Sequence, residues 1–132
     1  MKEDLITLET AKLAKSIGFN VQTRDFFVNG KSQSDYIFLQ YEDEDNFLWQ
    51  PSQSLLQKWL RETYFGYITL NLNDEKWSFD IYDLSRYKEH NNCIFSSLDD
   101  YNSYEETLET GLLKLINIII SRGNSKFLSI QK

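Results

Sequence analysis

The sequence predicts an α+β fold, with one antiparallel β-sheet of about three to four strands and about three helices, two of which pack on one face of the sheet. Two observations lead to this prediction. An amphipathic helix fits residues 51–62, and two alternating strands joined by a short polar link fit residues 67–83. The 132 residues suffice for one hydrophobic core, so we expect a single globular domain over 1–132, with a loose tail at 124–132.

The first predicted helix runs from Leu8 to Ile17. Thr7 suits its N-cap, because a threonine hydroxyl can accept a hydrogen bond from a free N–H of the first turn. Gly18 suits the left-handed residue that commonly ends a helix, and Phe19 is placed to fold back on the last turn.

Between the first helix and the central one the pattern is less regular. Phe26 to Val28 fits a short strand that ends in a turn at Asn29-Gly30. Lys31 to Ser34 is polar and is predicted to be a loop, whereas Tyr36 to Tyr41 is rich in aromatic and branched residues and is predicted to be a strand. The acidic run 42–45 then separates this strand from the central helix.

The central helix has two well-separated sides. Pro51 suits its first turn, and Ser52 is the N-cap if the helix starts one residue later. We expect it to end near Tyr64, because Gly66 follows and the period then changes to two. The apolar stripe contains Leu55, Leu56, Trp59 and Leu60. The polar side contains four residues that form either a candidate partner-binding face or an ordinary solvated surface, with the second reading favoured: Gln53, Gln57, Lys58 and Arg61.

An antiparallel hairpin is predicted from residue 67 to 83. Ile68, Leu70 and Leu72 alternate with polar residues, and the turn at 73–76 leads into a second alternating strand. On that second strand Trp77, Phe79 and Ile81 lie on one face. Residues 85–100 are mixed, and we predict a long connection with one short strand near 93–95.

The last helix is predicted to begin with a capping box formed by Ser103 and Glu106 and to end near Ser121. Its second half, Leu112 to Ile120, is apolar on nearly every side. Such a helix is buried in the domain or covered by a second subunit. Burial is favoured, and a homodimer through this helix is the alternative. We expect the predicted core to contain Leu55, Leu56, Trp59, Leu60, Leu108, Leu112, Leu115, Ile116 and Ile119.

Composition limits the classes of function. The formal net charge is −6, which disfavours sequence-independent binding to nucleic acid, since that binding depends on clustered lysine and arginine. Cys93 is the only cysteine, so no intramolecular disulfide can form. The longest apolar stretch is too short for a membrane span, and residues 1–5 lack the apolar segment of a signal peptide. We therefore expect a cytoplasmic protein that is not bound to a membrane.

The residues that usually carry chemistry are scarce. His90 and Cys93 have a metal-like spacing, but no other histidine or cysteine can complete a zinc site. The run at 42–45 lacks the pattern of a calcium loop, and no glycine-rich phosphate loop is present. We predict no metal and no cofactor. An enzyme is disfavoured, although a carboxylate and tyrosine site, with Asp80 and Asp83 as a carboxylate pair, stays open.

Aromatic residues support an alternative function. Tyrosines on the sheet can stack on bases, as in proteins that bind single strands, with Lys58 and Arg61 contacting the phosphates. The tyrosines considered for this role are Tyr36, Tyr41, Tyr67 and Tyr82. Their neighbours on the sheet are acidic or neutral rather than basic, so protein contact or packing is the favoured interpretation.

Two segments, 51–62 (PSQSLLQKWLRE) and 104–112 (YEETLETGL), resemble a group of small uncharacterised proteins encoded in phages and prophages of Bacteroides-like bacteria. The group has similar helices, with an alanine more usual at Thr107. The resemblance covers about half of the chain, and it implies a phage-related origin and a cytoplasmic setting. It implies no activity and no functional residues.

The function that fits these observations first is a non-catalytic phage or prophage accessory protein that binds another protein. The runner-up is a nucleic-acid-associated protein that uses Lys58, Arg61 and the tyrosines. The third hypothesis is an enzyme with a carboxylate and tyrosine site. The identity of the protein partner is not predicted.

Overall fold

The computed structural model describes residues 4–34, 47–84 and 93–123, and within them it confirms the predicted α+β fold. These residues form three helices and six strands in two three-stranded antiparallel sheets, whereas a single sheet of about three to four strands was predicted. The elements in chain order are α1 (Leu8–Ser16), β1 (Asp25–Val28), β2 (Lys31–Ser34), β3 (Phe47–Gln50), α2 (Gln53–Tyr64), β4 (Gly66–Asn73), β5 (Lys76–Asp83), β6 (Cys93–Ser96) and α3 (Tyr104–Ser121).

The first sheet has the strand order β2-β1-β3. The predicted turn is confirmed, since Asn29 and Gly30 have φ angles of 52° and 81° and join β1 to β2. The predicted loop at Lys31–Ser34 is wrong, because the turn places Lys31 opposite Val28 and the polar residues continue as an exposed edge strand. The predicted strand 36–41 and the acidic run 42–45 lie outside the described residues.

The second sheet has the order β4-β5-β6 and contains the predicted hairpin. Its register pairs Gly66 with Asp83 and Asn73 with Lys76. The two turn residues, Asp74 and Glu75, both lie in the left-handed region, with φ angles of 47° and 71°. The short strand predicted near 93–95 is confirmed as β6.

The helix boundaries follow the capping residues. The Thr7 hydroxyl accepts from Thr10 N–H at α1, and the Ser52 hydroxyl accepts from Leu55 N–H at α2. The central helix therefore starts at Gln53, and Pro51 precedes its N-cap rather than occupying its first turn. It ends at Tyr64, as predicted.

One of the two hydrogen bonds of the predicted capping box at α3 is confirmed. The Ser103 hydroxyl accepts from Glu106 N–H at 3.1 Å, as predicted. The Glu106 carboxylate instead accepts from the N–H of Asn102, at 3.1 Å, so its return bond reaches one residue further back than expected.

Helix α3 lies at the centre of the fold. Four of its apolar side chains are completely buried: Leu112, Leu115, Ile116 and Ile119. It packs closely on the hairpin at Gly111, where an added Cβ would lie 3.2 Å from a methyl carbon of Ile68. The preferred prediction for this helix, burial within the domain, is therefore confirmed for these four side chains.

Helix α2 contributes Leu56 and Leu60 to the same core, and both are completely buried. The predicted place of Leu55 in the core is wrong, because its side chain is 36% exposed. Trp59 is partly buried and packs against the core. No helix in the described ranges is long and apolar enough to span a membrane.

Candidate functional site

The turn end of the β4–β5 hairpin carries apolar side chains that the core does not cover. Leu72 lies directly opposite Trp77 and on the same face as Ile68 and Phe79, which pack against α3. It is nevertheless 56% exposed. Helix α3 begins at Tyr104, so this end of the hairpin has no further helix turn above it.

Aromatic contact joins the hairpin to the start of α3. The ring of Tyr104 meets that of Trp77 edge to face, with 5.5 Å between the centroids, and Tyr104 is 45% exposed. Such a pair stabilises the arrangement by about 0.5–1.5 kcal/mol beyond simple burial. Leu72, Trp77 and Tyr104 therefore form a continuous apolar surface with a fixed geometry.

A bulge beside β5 adds a fourth apolar side chain to this end. Ser97 N–H donates to Phe79 at 2.9 Å, and Tyr101 exchanges two backbone hydrogen bonds with Trp77 at 2.7 and 3.2 Å. The three residues between these pairs, 98–100, leave the strand, and Leu98 is 79% exposed. We call the three adjoining residues Leu72, Trp77 and Tyr104 the hairpin-end surface.

Hydrogen bonds hold the hairpin turn against this bulge. The Lys76 ammonium donates to the side chain of Asn102 at 2.6 Å. The Asn73 amide lies 3.4 Å from both carboxylate oxygens of Asp99. These contacts connect the two segments around the apolar side chains.

Acidic residues border the hairpin-end surface. They come from the hairpin turn, the bulge and the first turn of α3, and all are exposed: Asp74, Glu75, Asp99, Asp100, Glu105 and Glu106. Lys76 is the only basic residue within 73–77 and 98–106. The local charge is therefore strongly negative.

The predicted partner-binding face on α2 is divided by the structure. Gln53 is only 6% exposed, and its amide donates to Glu105 at 2.9 Å and to Glu109 at 3.0 Å. The expected solvent exposure of Gln53 is thus wrong, because the start of α2 lies against α3. The amide of Gln57 donates to the carbonyl oxygen of Ile68 at the edge of β4, at 2.8 Å.

The two basic residues of that predicted face have different surroundings. Lys58 is exposed, whereas Arg61 is half-buried with its guanidinium carbon 5.7 Å from the centre of the Tyr67 ring. Tyr67 lies opposite Tyr82, and both are half-buried. Tyr36 and Tyr41 lie outside the described ranges, so the structure brings together one arginine and two of the four tyrosines considered for base stacking.

The described residues that were considered for catalysis or metal binding do not lie together in one site. Asp80 and Asp83 project to opposite faces of β5; Asp80 accepts from the Asn71 amide at 2.8 Å and Asp83 is 6% exposed. His90 is not among the described residues. In the ranges that are described, no group of three or more His, Cys, Asp or Glu residues is arranged to hold a metal ion.

A small cleft lies between α1 and β3. Its volume is about 120 Å³, and Lys15 at its wall donates to the backbone of Phe47 at 3.2 Å. The volume is well below the roughly 300 Å³ at which small-molecule sites usually begin. The cleft therefore offers a weaker basis for function than the hairpin-end surface.

Sequence patterning did not identify the hairpin-end surface. Alternation placed Leu72 on one face with Ile68 and Leu70, and Trp77 on one face with Phe79 and Ile81, and the strand register agrees. Their exposure depends on where α3 begins relative to the hairpin turn, which alternation does not encode. A signal for an exposed apolar side chain at this end of the hairpin was present in Leu98, a large apolar residue directly before two aspartates. Comparisons of the chain with protein-family models, curated proteins and solved structures gave no match.

Proposed function

We propose that this chain is a non-catalytic protein-binding module, of the phage or prophage accessory kind that the resemblance implies, and that it contacts its partner through the hairpin-end surface. The observation that carries the proposal is that two exposed side chains adjoin Trp77: Leu72, which is paired with it across the hairpin, and Tyr104, whose ring contacts its ring. Contiguous apolar surface bordered by polar residues is typical of protein-interaction sites.

The chemistry of these side chains fits a binding surface. Tryptophan and tyrosine are the residues that most often dominate binding free energy, since they bury a large area while losing few rotatable bonds. Here the backbone around them is held by the β4–β5 register and by the bonds between Trp77 and Tyr101. A surface that is ordered before binding loses less conformational entropy when the partner docks.

Nucleic-acid binding is the second candidate, and the contact between Arg61 and Tyr67 is the observation that favours it. Sedimentation with short single- and double-stranded DNA at low salt separates the two functions. A DNA-dependent shift that disappears with added salt would support the second candidate. The absence of a shift is expected from the protein-binding proposal, given the formal net charge of −6.

A comparison of three proteins tests the proposal. The wild-type protein, the variant Leu72→Ser with Tyr104→Ser, and the control Leu55→Ser are each immobilised and exposed to bacterial lysate. Leu55 is a suitable control because it is a partly exposed apolar residue on a different element, α2. A partner identified by mass spectrometry is then purified, and its affinity for each protein is measured.

The expected result is that wild type and Leu55→Ser bind the purified partner with equal affinity. The double variant should bind at least about tenfold more weakly, because it loses two side chains of the apolar surface. Equal affinity of all three proteins would show that the hairpin-end surface is not the binding site. Thermal unfolding of each variant checks that the fold is retained.

A further inference from the structure

We infer that the partner presents a basic segment with at least one large apolar side chain to the hairpin-end surface, an inference that rests on the proposed function. The apolar side chain would contact Leu72, Trp77 and Tyr104, and the lysines or arginines beside it would face the acidic border. The inference thus names the chemistry of the partner.

The distribution of charge carries this inference. The hairpin turn contributes Asp74 and Glu75, and the bulge contributes Asp99 and Asp100, all of them exposed. Lys76, the single basic residue of segments 73–77 and 98–106, is hydrogen-bonded to Asn102. An incoming segment therefore meets a negative potential beside the apolar surface, and complementary charge increases both association rate and selectivity.

Some of the acidic residues also have local structural roles. Glu106 accepts a hydrogen bond at the start of α3, and Asp99 lies beside the Asn73 amide. Glu105 occupies the first turn of α3, where a carboxylate is favoured by the helix dipole. None of these local roles involves Asp74 or Asp100. Electrostatic complementarity to a basic partner accounts for the negative charge of these two residues.

The same charges disfavour other occupants of this surface. A second copy of the chain would bring an identical acidic border into contact with the first, and like charges placed opposite each other across an interface are repulsive. Phosphate groups of a nucleic acid would be repelled in the same way. The aromatic rings of Trp77 and Tyr104, by contrast, attract cationic side chains through their faces.

Three synthetic peptides provide the test. Each has about 14 residues, close to four helical turns, with one tryptophan and the same leucine positions. The polar positions are all lysine, all glutamine or all glutamate. Affinities for the full-length protein are measured by fluorescence anisotropy of labelled peptide at low salt and again at physiological salt.

Two charge-reversal variants and one apolar variant locate the binding. The first variant combines Glu75→Lys with Asp100→Lys in the acidic border. The matched control combines Glu9→Lys with Glu62→Lys, which changes the net charge equally at exposed positions on α1 and α2. The third is the Leu72→Ser and Tyr104→Ser variant.

The expected result is that the lysine peptide binds most tightly and that the border variant weakens it by about tenfold, against less than about threefold for the control. Equal binding of the lysine and glutamine peptides would overturn the inference. So would equal weakening by the border and control variants, since that result reflects net charge alone.

The apolar variant separates the two levels of the proposal. Suppose that the glutamine and lysine peptides bind wild type equally tightly, and that the apolar variant abolishes binding of the glutamine peptide. The hairpin-end surface is then the binding site, but the inference of a basic partner fails. If it leaves the affinity of every peptide unchanged, the proposed binding surface is itself wrong.

Discussion

The carboxylate of Glu109, in the middle of α3, accepts two hydrogen bonds from Thr7. One comes from the backbone N–H of Thr7 and the other from the Thr7 hydroxyl, each at 2.9 Å. Thr7 is the N-cap of α1, so a negative charge lies at the positive end of that helix. The second carboxylate oxygen accepts from the amide of Gln53, the first residue of α2. One side chain thus connects the starts of α1 and α2 to α3.

Replacing Glu109 with glutamine should destabilise the protein by about 1.5–3 kcal/mol, since the charge and at least one acceptor oxygen are lost. Urea unfolding at neutral pH measures the change. Glu105→Gln is the matched control, because Glu105 is an exposed residue one turn earlier on the same helix. If the two variants unfold at the same urea concentration, the Glu109 contacts contribute nothing specific to stability.

Gly66 at the start of β4 permits close packing of α3. A Cβ at this position would lie 2.7 Å from a methyl carbon of Leu115, whose side chain is completely buried. Gly66→Ala should therefore cost about 1–3 kcal/mol through overpacking. A double-mutant cycle with Leu115→Ala tests the cause, because the alanine at 66 should cost much less when the leucine is absent. Equal cost in both backgrounds would rule out this contact as the source.

The hydroxyl of Tyr64 donates to the backbone carbonyl of Ile17, and burial raises the Tyr64 pKa above its usual value of 10.0. The folded protein therefore holds this proton more firmly than the unfolded chain does. Its contribution to stability is complete below pH 10.0 and decreases as the pH rises towards the higher pKa of the folded state.

Tyr64→Phe should cost about 1–2 kcal/mol at pH 7, because the Ile17 carbonyl loses its side-chain donor. The difference in unfolding free energy between wild type and variant should narrow above pH 10.0, where wild type loses this contribution. Urea unfolding at several alkaline pH values checks both statements. A constant difference across the alkaline range would show that Tyr64 titrates alike in the folded and unfolded states.

The second residue of the hairpin turn, Glu75, is poorly suited to its backbone geometry. Asp74 and Glu75 both have positive φ, a geometry for which Asn-Gly is preferred and which the other hairpin achieves with Asn29 and Gly30. Glu75→Gly should raise the unfolding free energy by about 0.5–1 kcal/mol. Thermal unfolding measures the gain, and Gly30→Ala is the converse control, with an expected loss. A loss of stability in Glu75→Gly would contradict the strain argument.

The elements with strong periodicity were predictable from the sequence. The hairpin at 67–83 was visible because its apolar residues alternate, and α3 because Ser103 and Glu106 mark its start before an apolar run. The strand β2 was missed because Lys31–Ser34 is an exposed edge strand. Such a strand has no buried face to create alternation, and its pairing is set by the turn before it.

The candidate site was less predictable than the fold. Gln53 looked like a surface residue because its side chain is polar, yet the structure places its amide between Glu105 and Glu109. Leu72 follows the alternation of the strand and shares a face with the buried Ile68, yet its own exposure could not be predicted from that pattern. Both outcomes depend on where α3 lies relative to the other elements, which is a tertiary property that local patterns do not contain.

The three tryptophans of the chain provide a direct test of the central claim, that the hairpin-end surface binds a protein partner. Trp49 packs against Phe47 and Trp59 packs against Phe19, whereas Trp77 lies in the proposed surface. Each indole N–H gives one signal in a ¹H–¹⁵N spectrum, and single Trp→Phe variants assign the three signals.

The measurement is a titration of ¹⁵N-labelled protein with the lysine peptide described above, or with an identified partner. We expect the Trp77 signal to shift progressively while the signals of Trp49 and Trp59 stay in place. Shifts at Trp49 or Trp59 with an unchanged Trp77 signal would show that the peptide or partner binds elsewhere and not at the hairpin-end surface.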